Sequence, residues 1–178
     1  IVLGYVTLNL AYSMGLKHVV LLDVFIIATG FMLRILAGTL GVGIAPSQWL
    51  LLCGLMITLF LGFAKRRAEL NVMAGHGGSH RQVLEEYDSA LLDILLSICA
   101  AGVIVSYSLY TVSAETVAMH GTTNLIYTVP FVIYGVFRYL YLLLRRGGGG
   151  DPAAVLLQDR HLLGTFGCWL VAVVALLG

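Results

Sequence analysis

The chain has 178 residues, of which 60% are hydrophobic and only 11% are charged. A soluble domain is roughly a quarter charged, so this composition excludes an ordinary soluble protein. The net charge of +1 gives no basis for a nucleic-acid partner. With a mean hydropathy of +0.96, the sequence indicates an integral membrane protein.

Six apolar segments are predicted to form helices that cross the membrane. A spanning helix needs about 20 mostly apolar residues, since each residue rises about 1.5 Å. The runs are continuous and lack the alternation of a transmembrane β-barrel, so the predicted fold class is an all-α integral membrane protein. In chain order, the predicted spans are residues 1–15, 19–42, 47–64, 91–112, 124–144 and 161–177.

The first predicted span is shorter than the others. Ile1 stands inside an apolar stretch, with no initiator methionine, no basic region before it and no cleavage site, so this segment does not match a signal peptide. We expect it to be the end of a longer helix. The sequence is accordingly interpreted as a fragment of a longer protein or as one piece of a split protein.

Lysine and arginine residues occupy alternate connections between the predicted spans. The connections after the second and fourth spans contain neither residue type, whereas the others contain Lys17, Lys65, Arg66, Arg67, Arg81, Arg145, Arg146 and Arg160. By the positive-inside rule, the basic connections lie in the cytoplasm. Nearly all residues capable of chemistry lie in the same connections. We therefore expect a multi-pass protein of the plasma membrane whose active site opens to the cytoplasm.

Asp23 and Arg34 bring charge into the second predicted span. They are eleven residues apart, which places them on one helix face but about 16 Å apart along the axis, too far for a direct ion pair. A lone arginine near mid-membrane costs at least about 2.5 kcal/mol, so Arg34 is expected to face a polar cavity or a partner. The alternative is a structural ion pair with a neighbouring helix.

The segment KRRAEL at residues 65–70 combines three cations with one acid. Arginine forms bidentate hydrogen bonds with phosphate oxygens, and a carboxylate beside phosphates is a typical Mg²⁺ ligand. Lys65 and Glu69 are spaced i,i+4 and are predicted to share a helix face. Lys17, at the mouth of the second span, is a further candidate phosphate ligand. The alternative is that these cations only set the topology and that Lys17 extends to lipid headgroups.

The remaining polar segments give weaker signals. Residues 71–87 include several glycines, two histidines and Tyr87; the glycines suggest a flexible lid, but the spacing matches neither a zinc site nor a P-loop. Arg138 lies well inside the fifth span. Asp159 and Arg160 precede the sixth, where an N-cap acid and a topology-setting arginine are the alternative interpretation. Three isolated cysteines in apolar runs are interpreted as buried hydrophobic residues.

Several of these segments together resemble one family of membrane enzymes. The segments YSMGLKH at 12–18, LDV at 22–24 and GFMLR at 30–34 are similar to the middle of UbiA-superfamily prenyltransferases. AKRRAEL at 64–70 resembles the second acidic motif of the branch that comprises decaprenyl-phosphate phosphoribosyltransferases, with Glu69 where most of the superfamily has an Asp-rich run. Residues 87–96 and 151–160 also look like that branch.

The resemblance implies a bundle of nine transmembrane helices around a cavity open to the cytoplasm and to lipid. The six predicted spans would be helices four to nine, so that residues 1–178 would form the C-terminal two-thirds of a single UbiA-type transmembrane domain. The family's first Asp-rich motif lies between helices two and three and is absent from this sequence.

The activity implied by the resemblance is transfer of 5-phosphoribosyl from phosphoribosyl pyrophosphate to a polyprenyl (decaprenyl) phosphate. Pyrophosphate would be released, Mg²⁺ would be the cofactor, and the product would feed arabinan synthesis for the cell wall. The resemblance assigns Glu69 and Asp23 to Mg²⁺, and Asp23, Glu69 and Tyr87 to the catalytic site. Phosphates would be bound by Lys17, Arg34, Lys65, Arg66, Arg138 and Arg160.

Other functions remain as alternatives. An ordinary UbiA enzyme would move a prenyl chain onto an aromatic acceptor with the same fold and metal. A transporter would use Arg34, Arg138 and Asp23 to line a pathway, although its polar groups would then be expected at both mouths. A structural membrane subunit is a third alternative, and assembly into a homo-oligomer stays open.

Overall fold

The computed structural model describes residues 2–16, 19–43, 46–75, 87–146 and 152–178, and these ranges form helices without a strand. The α-helices are α1 (Val2–Met14), α2 (Leu22–Gly41), α3 (Gln48–Gly75), α4 (Ser89–Val112), α5 (Ala114–His120), α6 (Val129–Arg146), α7 (Pro152–Gln158) and α8 (Arg160–Leu177). A 3₁₀ segment, Asn124–Thr128, leads directly into α6.

Five helical segments are long and apolar enough to cross a membrane. They are Leu22–Gly41, Gln48–Asn71, Ser89–Val112, Asn124–Arg145 and Arg160–Leu177. The predicted fold class, an all-α integral membrane protein, is therefore confirmed, and these segments match the second to sixth predicted spans. The first predicted span corresponds to α1, which has 13 residues.

The helix α3 extends beyond the predicted span. The third span was predicted to end at residue 64, where the apolar run ends, and α3 continues to Gly75 and is 28 residues long. Charged residues lower the hydropathy of a segment without breaking a helix, and the i,i+4 spacing of Lys65 and Glu69 had indicated a helix there. Arginine, alanine, glutamate and leucine are all good helix formers. The basic run is thus held on a rigid helix.

The connection after α4 also contains more structure than expected. Ser113 caps α5 by accepting a hydrogen bond from the backbone of Thr116. Gly121 ends α5 with φ +68°, a left-handed conformation that favours glycine. The chain then enters the 3₁₀ segment, so most of the predicted loop 113–123 is helical.

The helix α3 lies at the centre of the bundle, between α4 and α2. A Cβ atom on Gly62 would lie 2.5 Å from Cγ1 of Val24, and one on Gly102 would lie 2.7 Å from Sδ of Met56. Both glycines therefore permit a close approach of neighbouring helices. The contact at Gly62 brings the beginning of α2, which carries Asp23, against the charged end of α3.

Large apolar side chains remain exposed on most of the helices, as expected for surfaces that meet lipid. Of the three cysteines, which are all unpaired, Cys99 is buried and Cys53 is half-buried. Cys168 is exposed on α8, so the prediction of burial was wrong there. In a membrane helix, an apolar side chain is shielded from water by lipid as well as by a protein core.

Candidate functional site

Four side chains from three parts of the chain meet where α2 begins and α3 carries its charged end. Nε of Arg66 lies 3.0 Å from Oδ2 of Asp23 as an ion pair without hydrogen-bond alignment. The Tyr87 hydroxyl donates a hydrogen bond of 2.9 Å to Oδ1 of Asp23. One turn along α3, Glu69 accepts a hydrogen bond from Nη1 of Arg66 through Oε2. We call Asp23, Arg66, Glu69 and Tyr87 the Asp23 cluster.

Burial differs sharply within the Asp23 cluster. Asp23 is 1% exposed, Arg66 3% and Tyr87 4%, whereas the Glu69 side chain is 25% exposed. A buried carboxylate is costly unless it is paired, and here the guanidinium supplies the counter-charge. Glu69 is the member of the cluster that a solvent-borne ligand reaches most easily.

The Tyr87 hydroxyl is held as a hydrogen-bond donor. Burial raises the pKa of Tyr87 well above its usual value, and the neighbouring Asp23 carboxylate adds to this shift. The hydroxyl therefore stays protonated at physiological pH. It also accepts a hydrogen bond of 2.7 Å from the backbone N–H of Leu21. Since Leu21 has φ +69°, unusual for a residue with a side chain, Tyr87 fixes a strained turn just before α2.

A second ion pair joins α3 to α4. Nε of Arg67 lies 2.7 Å from Oδ1 of Asp93, and Arg67 also donates a hydrogen bond to the Asn71 side chain. The sequence placed Arg67 among the basic connections but gave no indication of its partner. Because Arg67 and Asp93 lie on different helices, only the packing of α3 against α4 identifies the contact.

A third ion pair joins α6 to the beginning of α8. Arg138 donates two hydrogen bonds to Asp159, of 3.2 Å from Nε to Oδ1 and 2.8 Å from Nη2 to Oδ2. Asp159 also accepts a hydrogen bond from the backbone of Leu162, so it is the predicted N-cap of α8. These bonds, with that from Arg138 the strongest, lower the pKa of Asp159 to about 2. Arg138 is thus engaged by a carboxylate.

Asp159→Asn is expected to lower the melting temperature of the detergent-solubilised protein at neutral pH. Asparagine still caps α8, so the variant removes the ion pair selectively. Because the pKa is lowered in the folded protein, the stabilisation is present above about pH 4 and disappears as the pH falls through about 2. The difference between the two proteins should shrink over that range in melting curves recorded at several pH values.

Asp88→Asn is the matched control, since Asp88 precedes α4 as an N-cap acid but makes no side-chain cap hydrogen bond. Its melting temperature should change less. A difference between Asp159→Asn and the unmodified protein that persists unchanged down to pH 2 would contradict the role of the ion pair.

The remaining predicted phosphate ligands do not join the Asp23 cluster. Arg34 donates a hydrogen bond to the Tyr5 hydroxyl and lies 5.1 Å from the centre of its ring, so it meets α1 whereas Asp23 meets α3. Lys65 and Arg160 are exposed. Lys17 lies outside the described residues. The structure therefore brings together Asp23, Arg66, Glu69 and Tyr87 from the predicted set.

The Asp23 cluster fits a divalent cation only in part. Mg²⁺ needs oxygen ligands in near-octahedral geometry, but Asp23 is sealed from solvent by Arg66 and Tyr87. Within the ranges that the structure describes, no three acidic, histidine or cysteine side chains gather in a metal-binding group. Glu69 remains as a single suitable carboxylate, and Mg²⁺ held there would take water and substrate phosphate oxygens as its other ligands.

The fold and the cluster define a class of protein: a multi-pass helical membrane protein with buried charges at one end of its bundle. No model of a protein family matches the chain. It is 31% identical over 177 residues to the decaprenyl-phosphate phosphoribosyltransferase of Mycolicibacterium smegmatis, covering 93% of this chain and 54% of that protein. The protein of the same name from Corynebacterium glutamicum is 33% identical over 174 residues, covering 96% and 51%. That of Mycobacterium tuberculosis is 29% identical over 169 residues, covering 95% and 55%.

These comparisons confirm the resemblance that the motifs indicated. Over nearly its whole length the chain is similar to the relatives just described, which carry the name decaprenyl-phosphate phosphoribosyltransferase. The chain spans about half the length of these curated relatives.

Proposed function

We propose that the native protein transfers a 5-phosphoribosyl group from phosphoribosyl pyrophosphate to a polyprenyl phosphate, of which decaprenyl phosphate is the first candidate. The observation that carries this proposal is similarity over nearly the whole chain to three proteins named for this transfer. The multi-pass fold suits an acceptor that resides in the membrane, and the reaction fits the supply of precursors for cell-wall arabinan.

In the proposed reaction, an oxygen of the lipid phosphate attacks the anomeric carbon of the ribose. The bond from that carbon to the pyrophosphate oxygen breaks, and pyrophosphate leaves with the bonding electrons. Charge therefore builds up on the leaving group while the sugar becomes electron-poor. Fixed cations near the leaving group stabilise such a transition state.

Bound Mg²⁺ would supply part of this charge neutralisation. Glu69 is the proposed ligand from this chain, because its carboxylate is partly exposed and lies at the charged end of α3. Lys65 is exposed four residues earlier on the same helix and is the proposed contact for a phosphate group. Tyr87 and Asp23 support this end of the site from the buried side.

The proposed site faces the cytoplasm, and the proposed location is the plasma membrane. The positive-inside rule supports this orientation, since the connections that carry lysine and arginine lie at the same end of the bundle as the Asp23 cluster. Phosphoribosyl pyrophosphate is a highly charged molecule that does not cross a bilayer, so a cytoplasmic site would give it direct access.

The test is a radiolabel assay on membranes that contain the native protein. With labelled phosphoribosyl pyrophosphate, a polyprenyl phosphate and MgCl₂, label should enter the organic phase, and EDTA should prevent this. Membranes without the protein are the control. Turnover of a prenyl diphosphate with an aromatic acceptor, and no lipid-linked ribose, would replace the proposal with an aromatic prenyltransferase. Inactivity with both donors would contradict any UbiA-type transfer.

A further inference from the structure

Both carboxylate oxygens of Asp23 are occupied within the protein. Oδ1 accepts a hydrogen bond from Tyr87, and Oδ2 faces the Arg66 guanidinium. The side chain is 1% exposed. A divalent cation could reach Asp23 only by displacing a buried guanidinium and a hydroxyl together, and the displaced arginine would then be a buried charge without its partner.

Arg66 connects the buried carboxylate to the exposed one. Its Nε faces Asp23 while its Nη1 donates to Glu69. A guanidinium is planar and rigid, so an anchor at one edge fixes the direction of the other edge. The position of the Glu69 carboxylate therefore depends on how Asp23 holds Arg66.

The far end of this chain of contacts is fixed to the backbone. Tyr87 accepts from the N–H of Leu21 and donates to Asp23, and its ring belongs to the hydrophobic core. The resulting series runs from the turn before α2, through Tyr87, Asp23 and Arg66, to Glu69. The Arg66–Asp23 step is an ion pair and the other steps are hydrogen bonds. Tyr87, Asp23 and Arg66 are buried, so a ligand at the Glu69 end does not reach them.

We propose that Asp23 is a positioning residue that holds Arg66, through which it orients Glu69, and that it is not a ligand of a divalent cation. This replaces the assignment of Asp23 to Mg²⁺ that the family resemblance implied. The role of Glu69 in this inference rests on the proposed function, whereas the hold of Asp23 on Arg66 does not.

The first readout is binding of Mn²⁺, used as a paramagnetic substitute for Mg²⁺. Titration of the native protein in lipid nanodiscs, followed by the electron paramagnetic resonance signal of free Mn²⁺, gives a Kd without any turnover. Glu69→Gln should weaken binding by at least about tenfold, and Asp23→Asn should weaken it by less, because it only misorients the Glu69 carboxylate. Since Asp23 acts only through Glu69, adding Asp23→Asn to Glu69→Gln should cause no further loss, and a further loss in the double variant would make Asp23 a ligand and overturn the inference.

The second readout does not involve a metal. Phenylglyoxal modifies accessible arginine side chains, and mass spectrometry of peptides gives the rate at each position. Arg66, which is buried, should be protected in the unmodified protein and should react at least about tenfold faster in Asp23→Asn. Arg160, which is exposed, should react equally in both. Continued protection of Arg66 in Asp23→Asn would overturn the inference.

Unfolding of the variant is recognised from a third arginine. Arg138 is held by Asp159 at another part of the bundle, so faster modification of Arg138 would show that Asp23→Asn has lost its fold. In that case the variant Tyr87→Phe tests the role of Asp23. Its ring still fills the core, so Arg66 should again react faster while Arg138 does not. If the unmodified protein binds no Mn²⁺, the metal in the proposed function is wrong, and the Arg66 rates alone decide the role of Asp23.

Discussion

Arg66→Met is expected to destabilise the native protein by about 3–5 kcal/mol, because removal of one partner leaves a buried carboxylate without its counter-charge. Asp23 is 1% exposed and has no path to water through which its charge could be solvated in place. The measurement is a denaturant titration of the purified protein in bicelles, followed by far-ultraviolet circular dichroism.

Two further variants separate charge from packing. Lys65→Met removes the adjacent cation, which is exposed, and should shift the free energy of unfolding by no more than about 0.5 kcal/mol. The double variant Asp23→Asn with Arg66→Met removes both charges and should recover much of the loss. If Arg66→Met and Lys65→Met unfold at the same denaturant concentration, the ion pair does not stabilise the bundle.

Glu69→Gln is expected to lower the rate of phosphoribosyl transfer by about 10²-fold or more, since it removes the proposed carboxylate ligand at a site where charge develops. Glutamine has nearly the same size and its carbonyl oxygen still accepts a hydrogen bond from Arg66, so the melting temperature should change little. The radiolabel assay, run over a range of MgCl₂ concentrations, measures the loss.

Glu115→Gln is the matched control for this substitution. Glu115 is exposed in the first turn of α5, at the opposite end of α4 from the Asp23 cluster, and its replacement should leave transfer unchanged. Wild-type rates in Glu69→Gln, with folding intact, would exclude Glu69 from the catalytic site. Loss of rate together with loss of fold would instead identify Glu69 as a structural partner of Arg66.

The helical membrane fold was predictable because its signal is local. Each span is a continuous apolar run, and five of them reappear as helices with ends shifted by a few residues. At the end of α3 the helix continues past the apolar run, because hydropathy and helix propensity disagree there. Hydropathy falls at Lys65, but α3 continues to Gly75 because its next residues favour a helix.

The candidate site was predictable only as a set of residues. Resemblance to UbiA proteins selected Asp23, Glu69 and Tyr87, which do lie in one cluster. Their pairing was not predictable, since Asp23 and Tyr87 are 64 positions apart and Arg66 reaches Asp23 only because α2 and α3 pack closely. The roles of these residues in transfer stay predictions.

The partner of an isolated charge was likewise a matter of tertiary structure. The family resemblance assigns Arg138 to phosphate binding, and the alternative interpretation of Asp159 is an N-cap. The structure shows the cap and adds the pair, because α6 and α8 lie side by side. A single carboxylate therefore satisfies both the backbone of one helix and the arginine of another.

The length of α3 determines how far its charged end stands from the centre of the membrane. Its 28 residues extend about 42 Å, whereas the hydrocarbon layer is about 30 Å thick. Lys65, the eighteenth residue of the helix, stands about 26 Å from its beginning, so that the charged end emerges near the level of the lipid headgroups. If the proposed reaction is correct, α3 holds Lys65 and Glu69 at the depth where the phosphate of a lipid acceptor lies, so that recognition depends on the position of the headgroup in the bilayer and not on contacts with the hydrocarbon tail.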